Sequence, residues 1–126
     1  MSQIASSVCV DVKTSYIETQ SAPDEDKYLF SYTVTISNLS NEEITLKSRH
    51  WCITDANGRK SQVHGAGVVG ETPTIKPNSS YEYTSGTVLE TPLGVMEGSY
   101  TMVDSRGNEF KAPISPFRLS TPGLLH

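Results

Sequence analysis

Tyr28, Phe30, Tyr32, Val34 and Ile36 take every second position between Tyr28 and Ser37, with Leu29, Ser31, Thr33, Thr35 and Ser37 between them. Successive side chains of an extended chain point to opposite faces, so this spacing describes a half-buried strand. The aromatic and β-branched residues that fill it suit a pleated surface. The same period of two recurs at Val8, Val10 and Val12, with Thr14, Tyr16 and Ile17 as its extension. It returns at Tyr81 and Tyr83, at Tyr100 and Met102, and at Phe110, Ala112 and Ile114. No stretch reads as a convincing helix.

Turn signals separate these runs. Gln20 to Lys27 carries Pro23 and the charges of Asp24, Glu25, Asp26 and Lys27 with no apolar period, and reads as an exposed connection. Asn38 to Glu43 is polar, and Ile44 resumes an extended pattern through about Thr54, which is a hairpin signal. That third run contains a conflict of phase: Ile44 and Leu46 lie an odd number of positions from Trp51 and Ile53. One unbroken pleat cannot send all four to one layer, so a bulge is expected between Lys47 and His50.

Asp55 to Gly58 is expected to turn the chain, Arg59 to His64 to return as a short strand, and Lys76 to Ser79 to turn again. Gly86 to Gly98, broken by Pro92 and Gly94, is expected to be mostly loop, and Pro116 to interrupt the last ladder, with Phe117 and Leu119 covering one end of the core. About seven strands with frequent turns predict an all-β domain. The leading arrangement is an immunoglobulin/fibronectin type III-like antiparallel β-sandwich with Trp51 as its core anchor, and a small closed barrel is the alternative. One domain is expected over residues 1–126, with residues 1–7 and 120–126 flexible.

A chain of 126 residues with 36% hydrophobic content can build a modest core without a metal or disulfide. Its formal charge of −4 argues against a nucleic-acid partner. Apolar runs are far too short to span a bilayer, so no membrane role is expected. Two cysteines, Cys9 and Cys52, do not make the framework of a secreted module, and a cytoplasmic location is the default.

The densest stretch runs from Arg49 to Glu71. It holds the only tryptophan and Gly65-x-Gly67-x-x-Gly70, which matches a dinucleotide fingerprint as letters. The context that gives the fingerprint its chemistry fails, because Glu71-Thr72-Pro73-Thr74 opens no helix to meet a pyrophosphate. A nest of backbone amides could still accept an anion, with Arg49, Arg59, Lys60 or His64 supplying charge if the fold gathers them. The candidate anion or nucleotide site is Gly65, Gly67, Gly70, Arg49 and His64.

His50, Cys52, His64, Glu71 and His126 are ligand types without ligand spacing, so no metal site is expected. Asp55, Asp104 and Glu109 lie near turns, and no serine or threonine has an identifiable histidine and acidic partner, so no catalytic residue and no cofactor is assigned.

In order along the chain stand Tyr28-x-Phe30-x-Tyr32-x-Val34-x-Ile36-x-Asn38, Arg49-x-Trp51-x-Ile53-x-Asp55-x-x-Gly58, and Gly65-x-Gly67-Val68-Val69-Gly70-Glu71-x-Pro73. Tyr83-x-Ser85-Gly86, Thr91-Pro92-x-Gly94-x-Met96-x-Gly98-x-Tyr100 and Phe110-x-x-x-Ile114-x-x-Phe117-x-Leu119 follow. Together these closely resemble the ApaG family, also called CorD. The resemblance implies a fibronectin type III-like sandwich in a small bacterial cytoplasmic protein, and similar domains serve as modules in eukaryotic F-box and polymerase-associated proteins. It also implies a link to cobalt and magnesium resistance or efflux, an association with genes for dinucleoside tetraphosphate hydrolysis, and pyrophosphate binding as a meaning for the three glycines. The function expected is that of a noncatalytic protein-interaction domain with an unidentified protein partner. The alternative is binding of a small phosphate-containing anion or nucleotide by the Gly65 to Glu71 loop.

Overall fold

The computed structural model describes residues 7–122. Eight strands follow in order: β1 (Val8–Tyr16), β2 (Tyr28–Asn38), β3 (Ile44–Asp55), β4 (Lys60–Ala66), β5 (Thr74–Ile75), β6 (Ser79–Leu89), β7 (Leu93–Val103) and β8 (Glu109–Ser120). Two antiparallel sheets face each other. One has the order β1-β2-β6; the other runs β4-β3-β7-β8, with β5 on the same edge of β3 as β4. The expected sandwich is the architecture found. Of the ends expected to be flexible, residues 1–6 and 123–126 lie outside the described residues. Ser7 accepts a hydrogen bond from the Leu39 amide at 2.8 Å, Ser120 pairs with Leu93, and the Thr121 amide donates to Pro92 at 3.1 Å.

The alternation in β2 is realised directly, with Phe30, Tyr32, Val34, Ile36 and Asn38 buried and the residues between them partly exposed. Trp51 is 2% exposed and meets the rings of Tyr32, Tyr100 and Phe117 edge-on at 5.4, 6.2 and 5.8 Å. Truncating such a residue to alanine costs about 3–5 kcal/mol. The phase conflict in β3 is resolved by a register shift between Leu46 and Ser48, so Lys47 is the extra residue and Ile44, Leu46 and Trp51 all reach the core.

Two local expectations are corrected. First, β2 and β3 do not form a hairpin but belong to different sheets. The buried side chain of Asn38 holds the connecting arch: its Nδ2 donates to the carbonyls of Glu42 (2.7 Å) and Ile75 (2.9 Å), and its Oδ1 accepts from the amide and hydroxyl of Ser40. Polar connectors look alike in sequence whether they reverse a strand within a sheet or carry it across.

Second, Gly86 to Gly98 is strand apart from a short turn at Glu90–Pro92. Gly98 is a point of close approach, not a turn: a Cβ there would run into the His50 carbonyl oxygen of the neighbouring strand. Pro116 does interrupt the ladder, as expected, although β8 itself continues past it to Ser120. A register shift between Met96 and Gly98 passes the proline over as a bulge, and β8 is a terminal strand, where the missing amide costs little.

Candidate functional site: the glycine loop and the open flank

Trp51 marks the inner face of β3, and the pleat assigns the rest. Arg49, opposite Gly65, shares that inner face, as do Val63 opposite Trp51 and Ser61 opposite Ile53. His50 and His64 oppose each other on the outer face. Arg49 and His64 therefore lie on opposite sides of the sheet, and the five residues singled out in sequence do not converge on one point.

The guanidinium of Arg49 lies over Gly65, where an added Cβ would sit 2.7 Å from Nη1. That nitrogen donates to the carbonyls of Ala66 (3.1 Å) and Gly67 (2.9 Å). Gly67, at φ 62°, donates its amide to the Lys47 carbonyl at 2.8 Å, and the Leu46 amide donates to Pro73 at 2.9 Å. The loop thus leaves and rejoins β3 on either side of the bulge.

Val68 and Glu71 exchange amide-to-carbonyl bonds of 2.8 and 2.9 Å around Val69 (φ 42°) and Gly70 (φ 82°), the positive-φ corners of a tight hairpin turn. The Val68 side chain is fully buried while Val69 is exposed. Glu71 accepts from the Tyr81 hydroxyl at 3.4 Å, and burial, then the charge and hydrogen bond of Glu71, raise the Tyr81 phenol above its ordinary value. Three amides that an anion nest would offer, those of Gly67, Val68 and Glu71, are already committed to backbone carbonyls.

Behind the loop, the buried hydroxyls of Tyr83 and Tyr100 share a short hydrogen bond. Burial pushes Tyr83 up to about 12, with its Tyr100 hydrogen bond and the charge of Arg49 pulling the other way. Tyr100, also chiefly through burial, is raised further. Both phenols stay neutral, as a structural layer between the sheets.

The two flanks of the sandwich differ. On one, β1 lies beside β8. On the other, the terminal strands β6 and β4 each keep one edge without a strand partner among the described residues. A cleft of about 220 Å³ opens there, lined by Ile53, Asp55, Ser61, Val88 and Leu89 and by the exposed Arg59–Glu90 ion pair at 2.9 Å.

The ApaG domain family profile matches residues 18–104. The chain belongs to the ApaG family. Over all 126 residues it is 87% identical to the Protein ApaG of Shewanella pealeana, with both chains fully covered. It superimposes on a structural-genomics target solved by X-ray diffraction with a TM-score of 0.93 at 63% identity, covering 98% of this chain and 93% of that one. A Bordetella pertussis protein assigned as ApaA gives 0.90 at 42% identity, covering 92% and 94%.

For this ApaG-family chain, the sequence reading missed the free edge of β6. The segment Ser79–Leu89 contains no lysine, arginine or proline, the residues that most often guard an exposed edge, and Glu82 is its one charge. That absence was readable; the strand's place at the end of a sheet was not. Among the described residues, no group of three or more histidine, cysteine, aspartate or glutamate side chains is arranged around a metal, and no helix is long and apolar enough to cross a membrane.

Proposed function

We propose that this ApaG-family chain is a noncatalytic protein-interaction domain that takes up an extended segment of its partner along the free edge of β6. The observation that carries this reading is that unguarded edge: a strand from Ser79 to Leu89, unpaired on one side among the described residues, with Val88 57% exposed and a cleft of mixed polar and apolar lining at its end. Unsatisfied edge amides and carbonyls give a partner strand its main-chain bonds, and the cleft offers a place for one side chain. The cobalt and magnesium link of the family then acts through the partner. The free thiols of Cys9 and Cys52 support a cytoplasmic setting.

The anion-binding alternative has less support, because the amides of Gly67, Val68 and Glu71 and the guanidinium of Arg49 are occupied by the fold itself. Affinity capture of the full chain under native metal and salt conditions tests the proposal. A reproducible partner is expected for wild type and its loss for E82K/V88K, both exposed outward positions on β6. Repeated capture of nothing by folded protein, or equal capture by the variant, overturns it.

A further inference from the structure

The two sheets are not equally wide on the open flank. The larger runs β4-β3-β7-β8 and the smaller β1-β2-β6. With β1 beside β8 on the far flank, β6 lies over β3 and β4 extends one strand further. The inner face of β4 therefore has no strand opposite it among the described residues. Burial records the step: Trp51 is 2% exposed, while Val63, its partner across β4 on the same inner face, is 39% exposed. β6 runs along this ledge from one end, where Tyr81 reaches Glu71, to the other, where Val88 and Leu89 line the cleft with Ile53 and Ser61. The guanidinium of Arg49 covers the ledge at Gly65, so Ser61 and Val63 form its open part. Strands of one sheet lie about 4.8 Å apart and facing sheets about 10 Å, so one further strand beside β6 comes to rest over β4.

We propose that this slot takes a single extended segment of a partner protein as the fourth strand of the smaller sheet, with apolar side chains pointing inward onto Val63 and a lysine or arginine pointing outward opposite Glu82. The inference rests on the β6-edge reading above and adds what that edge selects. The inward chemistry follows from the ledge, because a valine- or isoleucine-sized side chain removes Val63 from water as it buries itself. The outward chemistry follows from charge. Glu82 is exposed and forms no ion pair among the described residues. Its row across the smaller sheet continues through Thr35 to Asp11, so the row holds two carboxylates and no cation. Opposite charges on facing strands stabilise a pair and like charges destabilise it. A second copy of this chain does not fit the slot. Antiparallel pairing of two β6 edges would set each copy's β4 beneath the other's β6, where β3 already lies. It would also bring no cation to Glu82, since Ser79–Leu89 contains none.

Titration of the full chain with a short palindromic peptide of alternating threonine and valine around one central lysine, followed by the backbone ¹H–¹⁵N correlations, tests the assignment. The probe reads the same in both chain directions. Saturable shifts are expected on β6 and at Ser61 and Val63 together. Affinity should be about fivefold lower for the same peptide with glutamate in place of lysine, and E82K should reverse that preference. V63K should weaken binding about tenfold or more, and V63T by a smaller factor. Unchanged amide spectra away from β4 establish that each variant is folded. Binding at β6 that V63K leaves at wild-type affinity, or capture of the native partner that V63K keeps and E82K/V88K loses, overturns the slot and leaves the β6 edge standing. No saturable shift with either peptide at millimolar concentration, or equal affinity for the two, overturns the proposed chemistry. Equal capture of the native partner by wild type and E82K/V88K overturns the slot and the β6 reading together.

Discussion

The Gly67 amide donates to the Lys47 carbonyl at 2.8 Å, at the position where β3 carries one residue more than β7 opposite it. The glycine loop and the bulge are therefore one structure. The extra residue turns Ile44, Leu46 and Trp51 to the same core, and the loop takes up the backbone bonding that the bulge leaves on the other edge of β3.

Arg49 is the side-chain clamp of that structure. Replacing it with methionine keeps the stem and removes the charged donor, leaving the Ala66 and Gly67 carbonyls without it. A loss of about 2 kcal/mol in urea unfolding is expected. R49K should recover only part of it, because an ammonium lacks the planar fork.

The glycines of the loop should differ in cost. At Gly70 (φ 82°) a Cβ meets nothing within 4 Å, so G70A should cost only the backbone strain of about 1–2 kcal/mol. At Gly67 the added Cβ would also collide with the Glu71 carbonyl, and G67A should be clearly more destabilising. Thermal melts of the two variants check the order. A loop kept for anion binding alone would show no such difference in stability.

Tyr83 and Tyr100 form a buried pair whose members satisfy each other. Y83F or Y100F alone strands a buried hydroxyl and should cost about 1–3 kcal/mol, while the double variant should cost less than the two singles added together. The pH dependence follows from the raised phenols. Unfolded tyrosine ionises near pH 10, whereas Tyr83 holds its proton to about 12 and Tyr100 beyond that. Their contribution is full below pH 10 and is lost as pH rises through the folded values. Absorbance titration at the tyrosinate band should show two phenols ionising only as the chain unfolds.

Asp104 runs in the opposite direction. Its Oδ1 accepts from the amides of Asn108 (3.0 Å) and Arg106 (2.9 Å), and the Asn108 amide above all holds the carboxyl below its ordinary value. This stabilisation is present above the unfolded value of about 3.9 and disappears as pH falls through the lower folded one. D104N should be less stable than wild type in urea at pH 7, and the difference should shrink towards pH 2.

Much of the fold was legible because local period decided it. The alternation from Tyr28 to Ile36 and the phase break between Leu46 and Trp51 each have one cheap physical solution, and the structure adopts both. What was hidden depended on pairing across the sandwich. Asn38 reads as a turn residue, but its side chain bridges Glu42 and Ile75. Gly98 reads as a breaker until His50 is set beside it. Parity alone already separates Arg49 from His50 and Gly65 from His64, so their division between two faces was within reach of the sequence. That β6 ends a sheet was not.

Hydrogen–deuterium exchange of the full chain, free and in complex with its captured partner, tests the claim for β6 most directly. Slower exchange confined to amides within Ser79–Leu89 is the expected result, as a new strand closes the edge. Protection centred on Gly65 to Glu71 or on β8, with β6 exchanging as before, would contradict it.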